Sequence, residues 1–308
     1  MSRSASRVID VPALVEQIRA GRPRGVARGI SLIEQGHHAA RDVLAGLTER
    51  NGHAHVVGLT GAPGVGKSTT TNAIVRELRS RGRVVGVLAV DPSSPFSGGA
   101  LLGDRIRMEE HATDAGVFLR SMASRGHLGG VAAATTQAVR VMEAAGCDVV
   151  LIETVGVGQS EVEVVALADT TVVLLAPGLG DGIQAAKAGI LEIGDVFVVN
   201  KADRDGADNT VRDLRHMIQM SDRSEPGRWR PPVLKATALS SDGLEAVVDA
   251  VADHRIWLER TGALAERRRD RTRAEVLALA LAAMADELPK PTTASNTDTS
   301  SNQFTPGM

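Results

Sequence analysis

The sequence contains very few aromatic side chains and almost no cysteine. No tyrosine occurs among its 308 residues, which include only four phenylalanines and two tryptophans. A hydrophobic core must therefore be built mainly from valine, leucine, isoleucine and alanine. The single cysteine, Cys147, excludes an intrachain disulfide framework, so a cytoplasmic location is expected.

Long apolar runs and a strong net charge are absent as well. No run approaches the roughly 18 apolar residues that span a bilayer, and residues 1–10 lack the apolar core of a signal peptide. The formal net charge of −2 predicts no general attraction to nucleic acid or to an anionic membrane. Apolar residues make up 43% and charged residues 23%, which suits a globular chain with a sizeable core.

Residues 61–68 carry the G-x-x-x-x-G-K-S pattern of a phosphate-binding P-loop. A strand is predicted over residues 54–60 and a helix over residues 69–81, the order that the motif requires; a glycine turn without ligand is the alternative. Glycines let successive amides face a phosphate, Lys67 is expected to contact the β- and γ-phosphates, and Ser68 is expected to bind Mg²⁺. The nucleotide-binding residues predicted here are Gly61, Ala62, Pro63, Gly64, Val65, Gly66, Lys67, Ser68 and Thr69.

Two predicted buried strands end in a carboxylate. The strand over residues 84–90 leads into Asp91, and the strand over residues 148–153 ends at Glu153. Ligands of open α/β sheets bind at this edge, so Asp91 is expected to hold Mg²⁺ or to orient a water molecule. An Asx turn before Pro92 is the alternative for Asp91. Glu153 is long enough to reach the metal directly.

The segment Glu153-Thr-Val-Gly156 matches D-x-x-G, the γ-phosphate sensor of GTPases, with Glu in place of Asp. Gly156 is expected to offer its amide to the γ-phosphate, because no side chain blocks the approach. Val157 stands where Ras-type enzymes carry the glutamine that positions water, so slow intrinsic hydrolysis is expected. The glycine-rich loop before Asp104 suits a segment that orders around the γ-phosphate, and a solvated loop is the alternative.

The segment Asn200-Lys-Ala-Asp203 follows a predicted strand and matches N-K-x-D, the guanine reader. Asp203 is expected to accept hydrogen bonds from guanine N1–H and the 2-amino group, which adenine does not offer. The stem of Lys201 is expected to cover the base, and Asn200 to bond toward the P-loop. An ordinary surface turn is the alternative. The S/T-A-L element, whose backbone contacts guanine O6, is matched by Thr237, Ala238 and Leu239.

Four regions are predicted along the chain. They are an N-terminal helical extension over residues 1–50, a GTPase domain over 51–262, a C-terminal helix and candidate dimerisation arm over 263–288, and a disordered tail over 289–308. The basic run over residues 267–273 is interpreted as a charged helix face rather than a binding patch. The pairs His37-His38 and His53-Ala-His55 are interpreted as surface or helix-end residues rather than a metal site.

The order of these motifs resembles one known family. The phrases GAPGVGKST, VLAVDPSSPFSGGALLGDRIRM, LIETVGVGQSE and NKAD are similar to the MeaB/ArgK GTPases, and the resemblance extends over about residues 11–275. It implies an α/β fold, a P-loop NTPase of the SIMIBI type with a mostly parallel central sheet, an N-terminal helical extension and C-terminal helices. It also implies GTP and Mg²⁺ as the bound groups.

The resemblance further implies a chaperone that gates adenosylcobalamin loading and protects methylmalonyl-CoA mutase or a related acyl-CoA mutase. Phosphate, Mg²⁺ and hydrolysis roles would fall to Lys67, Asp91, Asp104 and Glu153, beside the metal ligand Ser68. Switch loops would lie at residues 91–108, 154–163 and 177–188. Family members usually form a homodimer through a further C-terminal helical segment, whereas residues 289–308 are of low complexity here.

Two other functions are compared with this one. A nickel-delivery GTPase shares the branch of the fold but needs clusters of cysteine and histidine, which a lone Cys147 and scattered histidines do not supply. An ATP-dependent transport or partition switch would lack N-K-x-D and usually carries an extra lysine where this chain has Gly61. The mutase chaperone is therefore the preferred prediction.

Overall fold

The computed structural model describes residues 9–48, 52–91, 109–111, 113–123, 130–154, 167–178, 191–220 and 227–287. The predicted disordered tail over residues 289–308 lies outside this part of the chain. The strands are β1 (His55–Gly61), β2 (Val85–Asp91), β3 (Val117–Ala123), β4 (Val149–Thr154), β5 (Thr170–Leu175), β6 (Val196–Val199) and β7 (Val233–Lys235). They form one parallel sheet in the order β3-β2-β4-β1-β5-β6-β7.

Helices flank this sheet. They are α1 (Val11–Arg19), α2 (Pro23–Glu34), α3 (Ala39–Gly46), α4 (Lys67–Ser80), α5 (Gly130–Ala144), α6 (Ala207–Met220), α7 (Leu244–Thr261) and α8 (Ala263–Glu287). Short helical turns also occur at Glu109–His111 and Leu191–Ile193. Over the described ranges, no helix combines the length and the apolar character that crossing a bilayer requires.

The strands form where apolar and β-branched residues follow one another. Every residue of β1, β4, β5 and β6 is buried, which is typical of parallel strands covered on both faces. The predicted central parallel sheet is therefore confirmed. β3 continues through the polar Arg120 and Ser121, although these residues interrupt its apolar run. Arg120 is held at this sheet edge by Ser31 and Glu34 of α2.

Two layers of helices cover the sheet. On one face, α1, α2, α3 and α5 form a cluster in which Ile18, Ile30 and Ile152 are fully buried. On the other face, α4 and α7 bury Val75 and Val247 against the strands. α6 covers β5, β6 and β7 with a third apolar cluster. The N-terminal helices thus share one hydrophobic core with the sheet.

The basic run of α8 reaches into the body of the molecule. Arg268 and Arg271 pair with the carboxylate of Asp169 at 2.5 and 3.1 Å, and Arg267 pairs with Asp195 at 3.1 Å. Asp169 is fully buried, and Asp195 is buried as well. At these three arginines, the predicted charged helix face therefore packs on buried carboxylates of the same protein.

Asp169 ties α8 to the amino-terminal end of the sheet. Its Oδ2 accepts a hydrogen bond of 3.0 Å from the amide of Val56 in β1. Burial alone would raise the pKa of Asp169, but the hydrogen bond from Arg268 and the charges of Arg271 and Arg268 hold that pKa below its ordinary value. The carboxylate is therefore ionised near pH 7, and its charge is balanced by α8.

His55 is buried at the start of β1, so its interpretation as a surface residue is wrong. Its Nε2 lies 2.7 Å from Oγ1 of Thr170, which lies 2.8 Å from Nδ1 of His254. Burial lowers the pKa of His55 to about 3 and the pKa of His254 to about 4, so both rings are neutral near pH 7. Among the described residues, no group of three or more His, Cys, Asp or Glu is arranged to hold a metal ion.

Arg268→Ala is expected to lower the free energy of unfolding by about 2 kcal/mol, because a buried carboxylate loses one of its two guanidinium partners. Urea denaturation at pH 7 measures this change. Arg269→Ala, which alters an exposed neighbour on the same helix, is the matched control and should cost less than about 0.5 kcal/mol. Equal losses in the two variants would contradict the role given to Arg268.

Acid is expected to destabilise the protein through His55. Its pKa is about 3 in the folded chain and returns to 6.5 on unfolding, so between these values only the unfolded chain binds the proton. The stability that neutral His55 contributes is complete above pH 6.5 and falls by about 1.4 kcal/mol per pH unit below it. His55→Gln should flatten the slope of unfolding free energy between pH 6.5 and 5. His216→Gln, at an exposed position, should leave the slope as it is.

Candidate functional site

The predicted site residues that the structure describes lie at the carboxyl-terminal edge of the sheet. The P-loop follows β1, Glu153 lies near the end of the neighbouring β4, and Asn200 follows β6. Thr237 begins the loop after β7. Segments that are far apart in sequence therefore meet along one edge, as expected of an α/β sheet.

The P-loop forms a cradle that only glycine permits. Gly66 precedes the first residue of α4 with a φ of +95°, and a Cβ there would meet Nδ2 of Asn200 at 2.5 Å. Gly61 has a φ of +146°, and a Cβ there would lie 2.3 Å from the carbonyl oxygen of Leu174. Gly64, with a φ of +79°, faces open space within 4 Å. The loop and the free amides at the start of α4 together suit an anion.

Lys67 holds its ammonium against the loop itself. Its Nζ donates to the carbonyl oxygens of Gly61 at 2.5 Å and Ala62 at 3.4 Å. This contact places a full positive charge beside the glycine cradle. A phosphate seated in the cradle would meet both the amide groups and this charge.

Ser68 and Glu153 are in direct contact. The Ser68 hydroxyl donates a hydrogen bond of 2.6 Å to Oε1 of Glu153, whose side chain is buried. Parallel pairing of Leu59 with Glu153 sets this position, because it brings β4 beside the strand that leads into the P-loop. Hydroxyl and carboxylate oxygens are ligands that Mg²⁺ prefers, so this donor pair fits the ion.

Some predicted site residues cannot be placed beside this pair. Asp91 ends β2, but its side chain lies outside the described residues, as do Asp104 and Gly156. Most of the predicted switch loops over residues 91–108, 154–163 and 177–188 also falls outside. The structure therefore brings together Lys67, Ser68 and Glu153, and the other carboxylates stay predictions.

Asn200 joins the guanine motif to the P-loop. Its buried side chain donates from Nδ2 to the carbonyl oxygen of Val65 at 2.8 Å and accepts at Oδ1 from the amide of Ala238 at 3.1 Å. Lys201 has a φ of +56° and donates from Nζ to the carbonyl oxygen of Gly64 at 2.7 Å. The N-K-x-D motif and the loop after β7 are thus both attached to the phosphate-binding loop.

The remaining guanine-motif residues lie in the same region. Asp203 is exposed in the turn that follows Lys201, and the amide of Ala202 donates to the carbonyl oxygen of Ala236 at 3.1 Å. Leu239 is 87% exposed, so its side chain is largely in contact with solvent. An exposed carboxylate and an exposed loop beside the P-loop leave room for a purine.

Two residues near the site have no motif to mark them. Arg76, two turns into α4, donates to the Ser241 hydroxyl at 2.8 Å, and Ser241 has an unusual φ of +64°. Ser241 lies two residues after the S/T-A-L element, and this position is its only sequence signal. Arg76 lies 165 residues away from it and carries no signal at all.

Comparison with known proteins agrees with this geometry. The family model described as methylmalonyl Co-A mutase-associated GTPase MeaB matches residues 26–293. A protein of Pyrococcus abyssi that carries a GTPase name is 49% identical over 267 residues, covering 86% of this chain and 82% of that protein. GTPase ArgK of Escherichia coli is 37% identical over 265 residues, with coverages of 84% and 80%.

Two further comparisons extend this similarity. The mitochondrial methylmalonic aciduria type A homolog of Mus musculus is 36% identical over 276 residues, covering 82% of this chain and 66% of that protein. The crystal structure of LAO/AO transport system kinase superimposes with a TM-score of 0.73 at 28% identity, covering 92% of this chain and 88% of that chain. The predicted SIMIBI-type P-loop fold is confirmed. Because the family model matches most of the chain, the protein belongs to the MeaB family of GTPases, which bind guanine nucleotide and hydrolyse GTP.

Proposed function

We propose that this GTPase is a chaperone for an adenosylcobalamin-dependent acyl-CoA mutase, with methylmalonyl-CoA mutase as the client. It gates the loading of adenosylcobalamin and protects the mutase from inactivation. The family description, which names association with that mutase, and the mouse relative named for methylmalonic aciduria support the proposal. A cytoplasmic location and a homodimer through residues 263–288 belong to it, and the exposed Val276 and Leu277 on α8 favour the dimer.

The double hydrogen bond of Asn200 carries the nucleotide part of the proposal. It links the P-loop to the loop after β7. In this arrangement the phosphates of GTP lie along residues 61–69. The purine lies against Lys201, its N1–H and 2-amino group face Asp203, and its O6 faces the backbone of residues 237–239.

Magnesium would be held by Ser68 and Glu153, whose contact supplies a matching pair of oxygens. Asp91 and Asp104 are the further ligands in the proposal. When bound, the ion neutralises charge on the β- and γ-phosphates. The buried position of Glu153 keeps its carboxylate in place for this role.

Hydrolysis is a displacement at the γ-phosphorus. Water attacks in line while the bond to the bridging β–γ oxygen breaks, and the products are GDP and phosphate. The chain contributes position and charge, because the P-loop amides, Lys67 and the amide of Gly156 hold the transferring group. Losing the γ-phosphate contacts relaxes the switch loops, and the mutase senses that change.

Asp203→Asn is expected to remove the preference for guanine. The variant should bind GTP about 100-fold more weakly and gain affinity for XTP, because the new amide donates to the 2-oxo group of xanthine instead of accepting from a 2-amino group. Competitive binding of GTP, XTP and ATP measures this. Asp205→Asn, at an exposed position two residues away, is the control. A GTP preference that survives in Asp203→Asn would overturn the assignment of the guanine site.

The chaperone role is tested by capture of purified methylmalonyl-CoA mutase in the presence of a non-hydrolysable GTP analogue. The immobilised protein should retain more mutase with the analogue than with GDP. Lys67→Ala should bind the analogue poorly and lose GTP turnover by about 100-fold. It should therefore capture the same amount of mutase with the analogue as with GDP. Turnover as in the original chain would refute the phosphate role of Lys67. Absence of mutase on the original protein in every nucleotide state would refute the chaperone role.

A further inference from the structure

One face of α4 is linked to two segments that lie beside the nucleotide site. Arg76 donates from Nη1 to the Ser241 hydroxyl and from Nη2 to Oε1 of Glu110, both at 2.8 Å. Asn72, one turn earlier, donates to the same oxygen of Glu110 at 2.6 Å. Glu110 therefore fixes one side of the guanidinium, and the other side is left to hold Ser241.

Ser241 belongs to the loop over residues 237–243, which is closed and tightly turned. The amide of Thr237 donates to the carbonyl oxygen of Asp242 at 2.9 Å, which closes the loop. Ser241 adopts a φ of +64° and Gly243 a φ of +76°, and a Cβ at Gly243 would lie 2.3 Å from the carbonyl oxygen of Lys235. Conformations of this kind persist where surrounding contacts impose them.

Two side chains hold this loop from opposite ends. Asn200 accepts from the amide of Ala238 at 3.1 Å, and Arg76 donates to the hydroxyl of Ser241. The amides of Thr237 and Ala238 are thereby used within the protein. The amide of Leu239 meets no acceptor in the described chain, so it is the group of this tripeptide left to donate to a base.

We propose that Arg76 is a positioning residue for guanine recognition. It holds the loop over residues 237–243 so that the amide of Leu239 faces the oxygen at purine position 6. This inference rests on the proposed placement of the guanine base. In this arrangement Arg76 does not contact the nucleotide. It affects binding only by holding Ser241 in place.

Loss of Arg76 should leave the fold intact. The side chains of Arg76 and Glu110 are 49% and 43% exposed, and exposed ion pairs contribute little to stability. The consequence should appear in binding instead, since a loop released from one of its two supports no longer presents the Leu239 amide in a fixed place. The effect should fall on position 6 of the purine, because Asp203 serves N1–H and the 2-amino group.

The experiment compares three diphosphates, those of guanosine, inosine and 2,6-diaminopurine riboside, with the intact chain. Inosine lacks the 2-amino group, whereas diaminopurine carries an amino group in place of O6 and therefore has no proton on N1. Isothermal titration is carried out on Arg76→Ala, Ser241→Ala and the double variant. Arg81→Ala is the matched control, because it removes another solvent-accessible ion pair, which joins the residue that caps α4 to Asp249 of α7.

Arg76→Ala should bind GDP about three- to tenfold more weakly, the loss expected for one hydrogen bond. The preference for GDP over the diaminopurine nucleotide should shrink by the same factor, and the preference for GDP over IDP should stay. Ser241→Ala should behave similarly, and the double variant should be no weaker than Arg76→Ala alone. Arg81→Ala should match the original protein.

Unchanged binding of GDP by Arg76→Ala would overturn the inference. Equal weakening of all three nucleotides would do so too, because that result indicates a loss of general charge attraction or of structure. Failure of the underlying guanine site is recognised separately, since Asp203→Asn would then keep its GTP preference. If Asp203→Asn loses guanine preference while Arg76→Ala keeps both base preferences, only the role of Arg76 is refuted.

Discussion

The side chain of Asn200 is the contact on which the arrangement of the site depends. It is buried, so both its donor and its acceptor must be satisfied within the protein. The side chain bonds to Val65 on the P-loop and to Ala238 after β7. The backbone amide of Asn200 donates to the carbonyl oxygen of Leu175 at the end of β5. These partners come together only when the strands stand in the observed order, so the site cannot form apart from the sheet.

The same contact explains why the phosphate loop and the guanine motif constrain each other. Gly66 approaches Asn200 so closely that a Cβ would lie 2.5 Å from its amide nitrogen. The glycine is thus required twice, once for its positive φ and once for this approach. A larger residue there would disturb the turn before Lys67 and also displace Asn200, which supports the loop after β7.

Much of the fold and of the site could be predicted from sequence, because short continuous segments carry the signals for both. Buried parallel strands appear as continuous apolar runs, and residues 61–68 and 200–203 carry spacings that few other structures need. Contacts between distant segments carry no such mark. The pairing of Arg268 with Asp169 joins residues 99 apart, so the sequence predicts a charged helix face but not the buried carboxylates that three of its arginines contact. His55 was misread for the same reason, since its partners Thr170 and His254 are distant in sequence.

The two ends of the sheet differ in how their polar groups are used. At the amino-terminal end, the carboxylate of Asp169 and the hydroxyl of Thr170 find partners within the protein, in α8 and in the neutral histidines. At the carboxyl-terminal end, the glycines of the P-loop, the exposed Asp203 and the amide of Leu239 keep groups available. Arg76 differs from both groups, because it belongs to no motif yet binds Ser241 in the loop after β7, the loop proposed to contact guanine. In the proposed site, the residues that support guanine binding therefore include Arg76 in the middle of α4, which no sequence motif marks.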